Sequence, residues 1–300
     1  MAPDRPRTDA RVDPRSIRGA VPRLRPPPPA GGGNNVVLLI LDSCRWDSLV
    51  AAAPPALARL GPIERRWAWA TWTAPAHYNL LMGLLPHTAP TGVPSSAVYQ
   101  ALLGAWGPRL GVDGAGFLDL LPSLWLPHLL RARGYALHAR VSLPVLHPSA
   151  PLAAGFDSWT LMPRRDALAQ IIDELHFLDD RPSFWLINAG ETHYPYQEDP
   201  RMPQLPGLRG AARALAAGLP APVDLAWPAG MLEELHQRQI AACVALDPLL
   251  HRLLDRCPPG TRVIVTADHG ECFGEGGFFG HGPIPHEKVL EVPYVEGSVG

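Results

Sequence analysis

Three short apolar runs in this 300-residue sequence each end in groups that can bind a metal or move a proton. "VVLLIL" runs into Asp42, "SFWLINA" into Glu191 and His193, and "RVIVTA" into the adjacent pair Asp268 and His269. Each run is short, apolar and bounded by turn formers or polar residues, so each reads as a buried strand with its polar group at the carboxyl end. Parallel strands deliver their carboxyl ends to one edge of a sheet, where loops converge and a ligand finds room. One such ending is a weak sign. Three of them, with Thr73 at a helix start, point to a site. Carboxylates with imidazole suit a divalent cation such as zinc or manganese. Without one, clustered carboxylates repel and raise one another's pKa. Taken alone, Thr73 reads as a capping residue before a proline-led helix.

The elements that must hold these groups alternate along the chain. "WTAPAHYNLLMGLLPH" predicts a helix, with Pro75 in its first turn and Tyr78, Leu81, Met82 and Leu85 on one face. Residues 117–133 read as a helix interrupted at Pro122 and Pro127, and "YALHARVS" as the strand after it. Residues 164–178 place Leu168, Ile171, Ile172 and Leu175 at helical spacing. One long amphipathic helix is expected from Met231 to Cys257, stopped by Pro258, Pro259 and Gly260. Trp67, Trp69 and Trp72 alternate like a strand face, as core or pocket wall. Strands alternating with helices predict an α/β fold with a mostly parallel central sheet and helices on both faces.

Composition narrows the classes. Net charge is −2, and the clustered positive charge is confined to the first 25 residues, so nothing asks for nucleic acid. Residues 1–34 carry prolines, arginines and a glycine run with little to bury, and are expected to be a disordered tail ahead of a catalytic domain over 35–300. The proline- and alanine-rich stretch 197–229 is expected to be an insertion or lid. The four cysteines lie far apart without a C-x-x-C pair, which predicts reduced thiols and a cytoplasmic protein. No apolar run reaches the length of a bilayer span, and no signal-peptide core is visible, so export by that route is not expected.

Four segments in order resemble the alkaline phosphatase and sulfatase superfamily, in its sulfatase-like branch. "VVLLILDSCRWDSL" is similar to the opening strand with its D-x-x-R-x-D ending, and "WTAPAHYNLLMGLLPH" to the nucleophile segment. "GETHYPY" resembles the H-x-P-Y segment and "TADHGECFGEGGFFGHG" the S-D-H-G-E segment. The resemblance implies an alkaline-phosphatase-like fold with Asp42, Asp268 and His269 as metal ligands. It implies Thr73 as a nucleophile that also touches the metal, and His193 and His281 as contacts to the transferred group or leaving oxygen. His77 stands where sulfatases place an arginine beside the nucleophile. Glu191, His193 and His281 are only loose candidates for a second metal, so one ion is expected. Arg45, Asp47, His286 and Glu287 are expected to be scaffold. The chain ends near where larger relatives continue into a C-terminal subdomain, so part of their substrate pocket is expected to be missing.

The implied activity is hydrolysis or transfer of phosphoester or phosphonate groups on a small molecule. Sulfatases of this branch convert a cysteine or serine within C/S-x-P-S-R to formylglycine, whereas this chain has "TAPAH". Threonine carries an extra methyl on its β-carbon and cannot give that aldehyde by the same oxidation, which disfavours a sulfatase. Two alternatives stand beside this reading. One is hydrolysis of sulfate or another ester by metal-activated water. The other is a catalytically silent metal-binding scaffold serving a partner protein of a biosynthetic pathway.

Overall fold

The computed structural model describes residues 34–112, 123–196 and 230–300. The stretches expected as tail and as insertion or lid lie outside these residues, apart from Asn34, whose carbonyl accepts a hydrogen bond from the Tyr135 hydroxyl at 3.0 Å.

Among the described residues the strands are β1 (Val36–Leu41), β2 (Glu64–Trp67), β3 (Ala136–Val141), β4 (Ser158–Leu161), β5 (Ser183–Ala189), β6 (Arg262–Ala267), β7 (Cys272–Phe273), β8 (Phe279–Gly280) and β9 (Glu291–Ser298). The helices of seven residues or more are α1 (Trp46–Ala52), α2 (Thr73–Leu81), α3 (Ser95–Gly104), α4 (Leu126–Ala132), α5 (Leu168–Glu174), α6 (Met231–Ala245) and α7 (Asp247–Arg256). Seven strands form one sheet in the order β2-β9-β6-β1-β5-β3-β4, and β9 alone runs against the others. This is the expected mostly parallel sheet.

β1 sits at the centre because all six of its residues are apolar and fully buried. A strand flanked on both sides and covered on both faces has no place for a polar side chain. Its side chains alternate between two cores. Val37, Leu39 and Leu41 pack with α5, α6 and α7 on one face, and Val36, Leu38 and Ile40 with α2, α3 and α4 on the other. The register sets where the chain leaves the sheet. Leu41 pairs with Ala189 of β5 and with Ala267 of β6, so Asp42, Gly190 and Asp268 all emerge at one level.

Several helical expectations change in detail. The helix expected as continuous from Met231 to Cys257 is two, because Pro248 occupies the first turn of a new helix that starts after Leu246. Pro127 likewise opens α4 rather than interrupting it, and 117–122 lie outside the described residues. α2 ends at Leu81, and its buried face is Thr73, Ala76, His77, Leu80 and Leu81, while Tyr78 points outward. Of the three alternating tryptophans only Trp67 lies in a strand.

Candidate active site

The three strand ends meet. The candidate ligand atoms of Asp42, Asp268 and His269 all lie within 4.8 Å of one another, and all three residues are buried. Asp42 is held from the β5 side, where Asn188 Nδ2 donates to its Oδ2 at 2.9 Å. Asp268 is held from the β1 side, its Oδ1 accepting from the Ser43 backbone N–H at 3.1 Å and from the His269 N–H at 3.0 Å. Its other oxygen, Oδ2, is buried with no hydrogen-bond donor. The His269 ring is oriented by Nδ1, which donates to the Gly270 carbonyl at 2.9 Å and so leaves the Nε2 lone pair facing the site. Gly270 admits no side chain here, because a Cβ would come within 2.3 Å of the Lys288 carbonyl.

Thr73 completes the cluster from α2. It does not cap the helix: Trp72 is the N-cap residue and no side chain caps that end. Its Oγ1 lies 3.3 Å from His269 Nε2, and Nε2 lies 3.4 Å from the orphaned Asp268 Oδ2. Ligand atoms on a tetrahedral zinc, each about 2.1 Å from the ion, stand roughly 3.4 Å apart. Groups gathered at that spacing, with Asp268 Oδ2 unpaired among them, suit a small divalent cation, and the set of carboxylate, imidazole and hydroxyl ligands fits one.

The electrostatics agree. Burial pushes the Asp268 pKa well above the usual carboxylate range, and the nearby Asp42 charge adds to it. Burial also works to raise Asp42, but His193, His269 and the Asn188 amide outweigh it and hold that carboxyl below its usual value. The two neighbouring buried carboxyls are thus pushed in opposite directions, as expected for like charges held close together. Burial lowers His269 strongly, and His281 beside it acts the same way, so Nε2 stays free to ligate.

His193 and His281 lie at the same place. The ring centroids of His281 and His269 are 4.4 Å apart, and those of His193 and His281 are 5.4 Å apart. His193 Nδ1 bonds the Tyr194 carbonyl at 2.6 Å, and His281 Nδ1 lies 3.5 Å from Ser43 Oγ. His77 sits deeper. Its Nδ1 donates to the Thr73 carbonyl at 2.8 Å and lies 3.7 Å from Asp268 Oδ2, and burial lowers its pKa. It underlies the first turn of α2 and is fully buried.

Residues read as scaffold are found in scaffold. Arg45 pairs with Asp47 and with Glu275, each at 2.6 Å. His286 accepts the Lys288 N–H, and Glu287 pairs with Arg65. Glu191 turns away from the cluster, and its Oε1 accepts the Leu168 N–H at 2.7 Å. Burial raises its pKa from 4.5 to about 7, against the lowering effect of that bond. Between pH 4.5 and about 7 the folded protein therefore keeps a proton on Glu191 that the unfolded chain has given up. Stability from this group is fully present below pH 4.5 and is lost as pH rises through 7, by on the order of 3 kcal/mol. Glu191→Gln, which keeps the acceptor for Leu168, is expected to flatten that fall in urea titrations run between pH 5 and 8; an unchanged slope would rule it out.

Four supporting residues escape sequence reading. Asn188, Thr192, Gln239 and Glu271 are all buried polar groups beside the site. Thr192 Oγ1 donates to the Asp42 carbonyl at 2.8 Å. The signal for Asn188 is a single amide inside a strand that is otherwise apolar after Ser183, and for Gln239 a single amide on the buried face of α6 with Leu235, Ala242 and Cys243.

With this geometry in place the chain can be set beside known proteins. No protein-family model and no curated protein sequence matches it. Solved structures do, at low identity, and what they show is the fold, which is the sulfatase-like one that the sequence resemblance implies. One similar structure is the C-terminal periplasmic domain of EcEptC from Escherichia coli in complex with Zn, with a TM-score of 0.52 at 13% identity over 91% of this chain and 77% of that one. Another is the phosphonate monoester hydrolase of Agrobacterium radiobacter, with a TM-score of 0.52 at 18% identity over 88% of this chain and 68% of that one. The C-terminal periplasmic domain of phosphoethanolamine transferase EptC from Campylobacter jejuni gives 0.50 at 11% identity over 90% and 80%. No helix among the described residues is long and apolar enough to cross a membrane.

Proposed function

We propose that this chain is a metal-dependent hydrolase or transferase of phosphoester or phosphonate groups, with Thr73 as its nucleophile and one zinc or manganese ion on Asp42, Asp268, His269 and Thr73. The observation that carries this reading is the position of Thr73 Oγ1, on the first residue of α2 and 3.3 Å from the free nitrogen of His269. The Zn in the Escherichia coli domain of the same fold supports the choice of metal.

A divalent cation held there supplies the charge that makes a threonine hydroxyl acidic enough to react and that offsets negative charge on the phosphoryl group. The chain's own residues do the rest. α2 aims its unsatisfied N-terminal N–H groups at the reacting phosphoryl, where they favour negative charge. Thr73 Oγ1, having given its hydroxyl proton to water, attacks phosphorus and the bond to the leaving alcohol breaks, giving a phosphothreonine ester. His281 or His193 gives the departing oxygen its proton. Water or a second alcohol then attacks the phosphothreonine and releases Thr73, the first giving hydrolysis and the second transfer. Asn188, Ser43 and His77 hold Asp42, Asp268 and the first turn of α2 in place throughout.

The reading is tested by quenching the protein in acid during turnover of an aryl phosphoester and weighing its peptides. A gain of one phosphoryl group on the peptide holding Thr73 is expected. Turnover without that gain would transfer the reaction to direct attack by water, and absence of turnover on phosphoesters, phosphonates and sulfate esters alike would leave a silent scaffold.

A further inference from the structure

Ser43, the residue after Asp42, has φ of +58°, a left-handed conformation that a side chain disfavours. The strain has a use. At this turn the Ser43 N–H donates to Asp268 Oδ1 at 3.1 Å, which joins the end of β1 to the end of β6. Something must hold the turn, and the neighbouring contacts identify it. Gln239 on α6, fully buried, donates from Nε2 to the Ser43 carbonyl at 2.9 Å, to the Thr192 carbonyl at 3.2 Å and to Glu271 Oε1 at 2.9 Å. Its Oε1 accepts from Ser48 Oγ at 2.7 Å and from the Arg45 N–H at 3.4 Å. One side chain thus touches the loops after β1, β5 and β6, which carry Asp42, His193 and the Asp268–His269 pair.

We propose that Gln239 is the positioning residue of this site, clamping the three strand-end loops from behind so that the Ser43 peptide stays turned toward Asp268 and the ligand atoms stay gathered. A glutamine suits the task because it offers two donors and two acceptor lone pairs at one point, so carbonyls from two loops and an N–H from one of them can be met together. Glu271 is itself fixed by the Tyr196 hydroxyl at 2.7 Å, so the clamp is rigid on that side. The amide is enclosed, with no exposed surface, so no water can replace a bond that is lost.

The inference rests on the proposed metal site for its functional meaning, and the test separates the two. Wild type, Gln239→Met and Gln239→Glu are compared with Leu250→Ala, a core truncation in α7 that destabilises without touching the loops. Met removes every bond, whereas Glu keeps the two accepted bonds and removes both N–H donors, which the Ser43 and Thr192 carbonyls and Glu271 share. Hydrogen exchange is followed on peptides spanning 42–48, and zinc binding by calorimetry. Both Gln239 variants are expected to speed exchange at Ser43 by roughly tenfold, the scale of one lost buried hydrogen bond. Both are expected to weaken zinc binding about 10- to 100-fold, as loss of a ligand-orienting partner does. Leu250→Ala is expected to lower the melting temperature without either effect. Protected Ser43 exchange in Gln239→Glu, or equal loosening in Leu250→Ala, would overturn the proposal. Should wild type bind no zinc, the metal site fails, and exchange at Ser43 still decides whether Gln239 holds the loop.

Discussion

Thr73→Val is expected to lower turnover of an aryl phosphoester by at least about three orders of magnitude, the scale on which removal of a covalent nucleophile acts. Valine keeps the branched shape in a position only 5% exposed, so packing around α2 is retained. It also leaves the helix end intact, since Thr73 is inside α2 and no side chain caps it. The loss should therefore appear in kcat with little change in melting temperature. Direct attack by water would give a much smaller fall, because Asp42, Asp268 and His269 all remain. Turnover within tenfold of wild type in Thr73→Val would remove the nucleophile from the proposal.

The second large effect concerns Asp268. Zinc at a thousand times its Kd should stabilise the wild type by about 4 kcal/mol, by mass action on the folded state alone. Asp268→Asn should lose nearly all of that gain. The substitution is mild in other respects, because Asp268 Oδ1 is the atom that accepts the Ser43 and His269 N–H groups, and an amide oxygen can do the same. It replaces Oδ2, the buried oxygen without a donor. In the metal-free state the variant should be no less stable than wild type, since a buried carboxyl beside Asp42 is removed. Thermal melts of both proteins, with zinc and with chelator, check this. Equal zinc stabilisation of the two would mean that the cation sits elsewhere.

The ends of β1, β5 and β6 are legible in the sequence because each marks a sharp passage from apolar to polar residues, and a fully buried parallel strand is written as such a run. Asp42, Asp268 and His269 stand at those passages. Gln239 and Asn188 are not legible, because one amide inside an apolar pattern looks the same whether it braces a site or only meets a backbone carbonyl. The break between α6 and α7 is hidden for a related reason: the amphipathic spacing continues past Leu246, and only Pro248 marks the new start. The outward turn of Tyr78 is hidden because the apolar residues of α2 are numerous enough to suggest more than one face.

The common level at which Asp42, Gly190 and Asp268 leave the sheet has a consequence for how the site comes into being. The pairs that build it are far apart along the chain: Asn188 meets Asp42 across 146 residues, and Ser43 meets Asp268 across 225. No fragment shorter than the sheet itself holds both halves, so a cation has nothing to gather around while the chain is still collapsing. Closing loops of that length is slow, and it must come before the ligands can reward it. A cation bound there would then act as a late lock on a finished fold rather than a seed for it, and its hold would be felt in how slowly the protein opens, not in how quickly it closes.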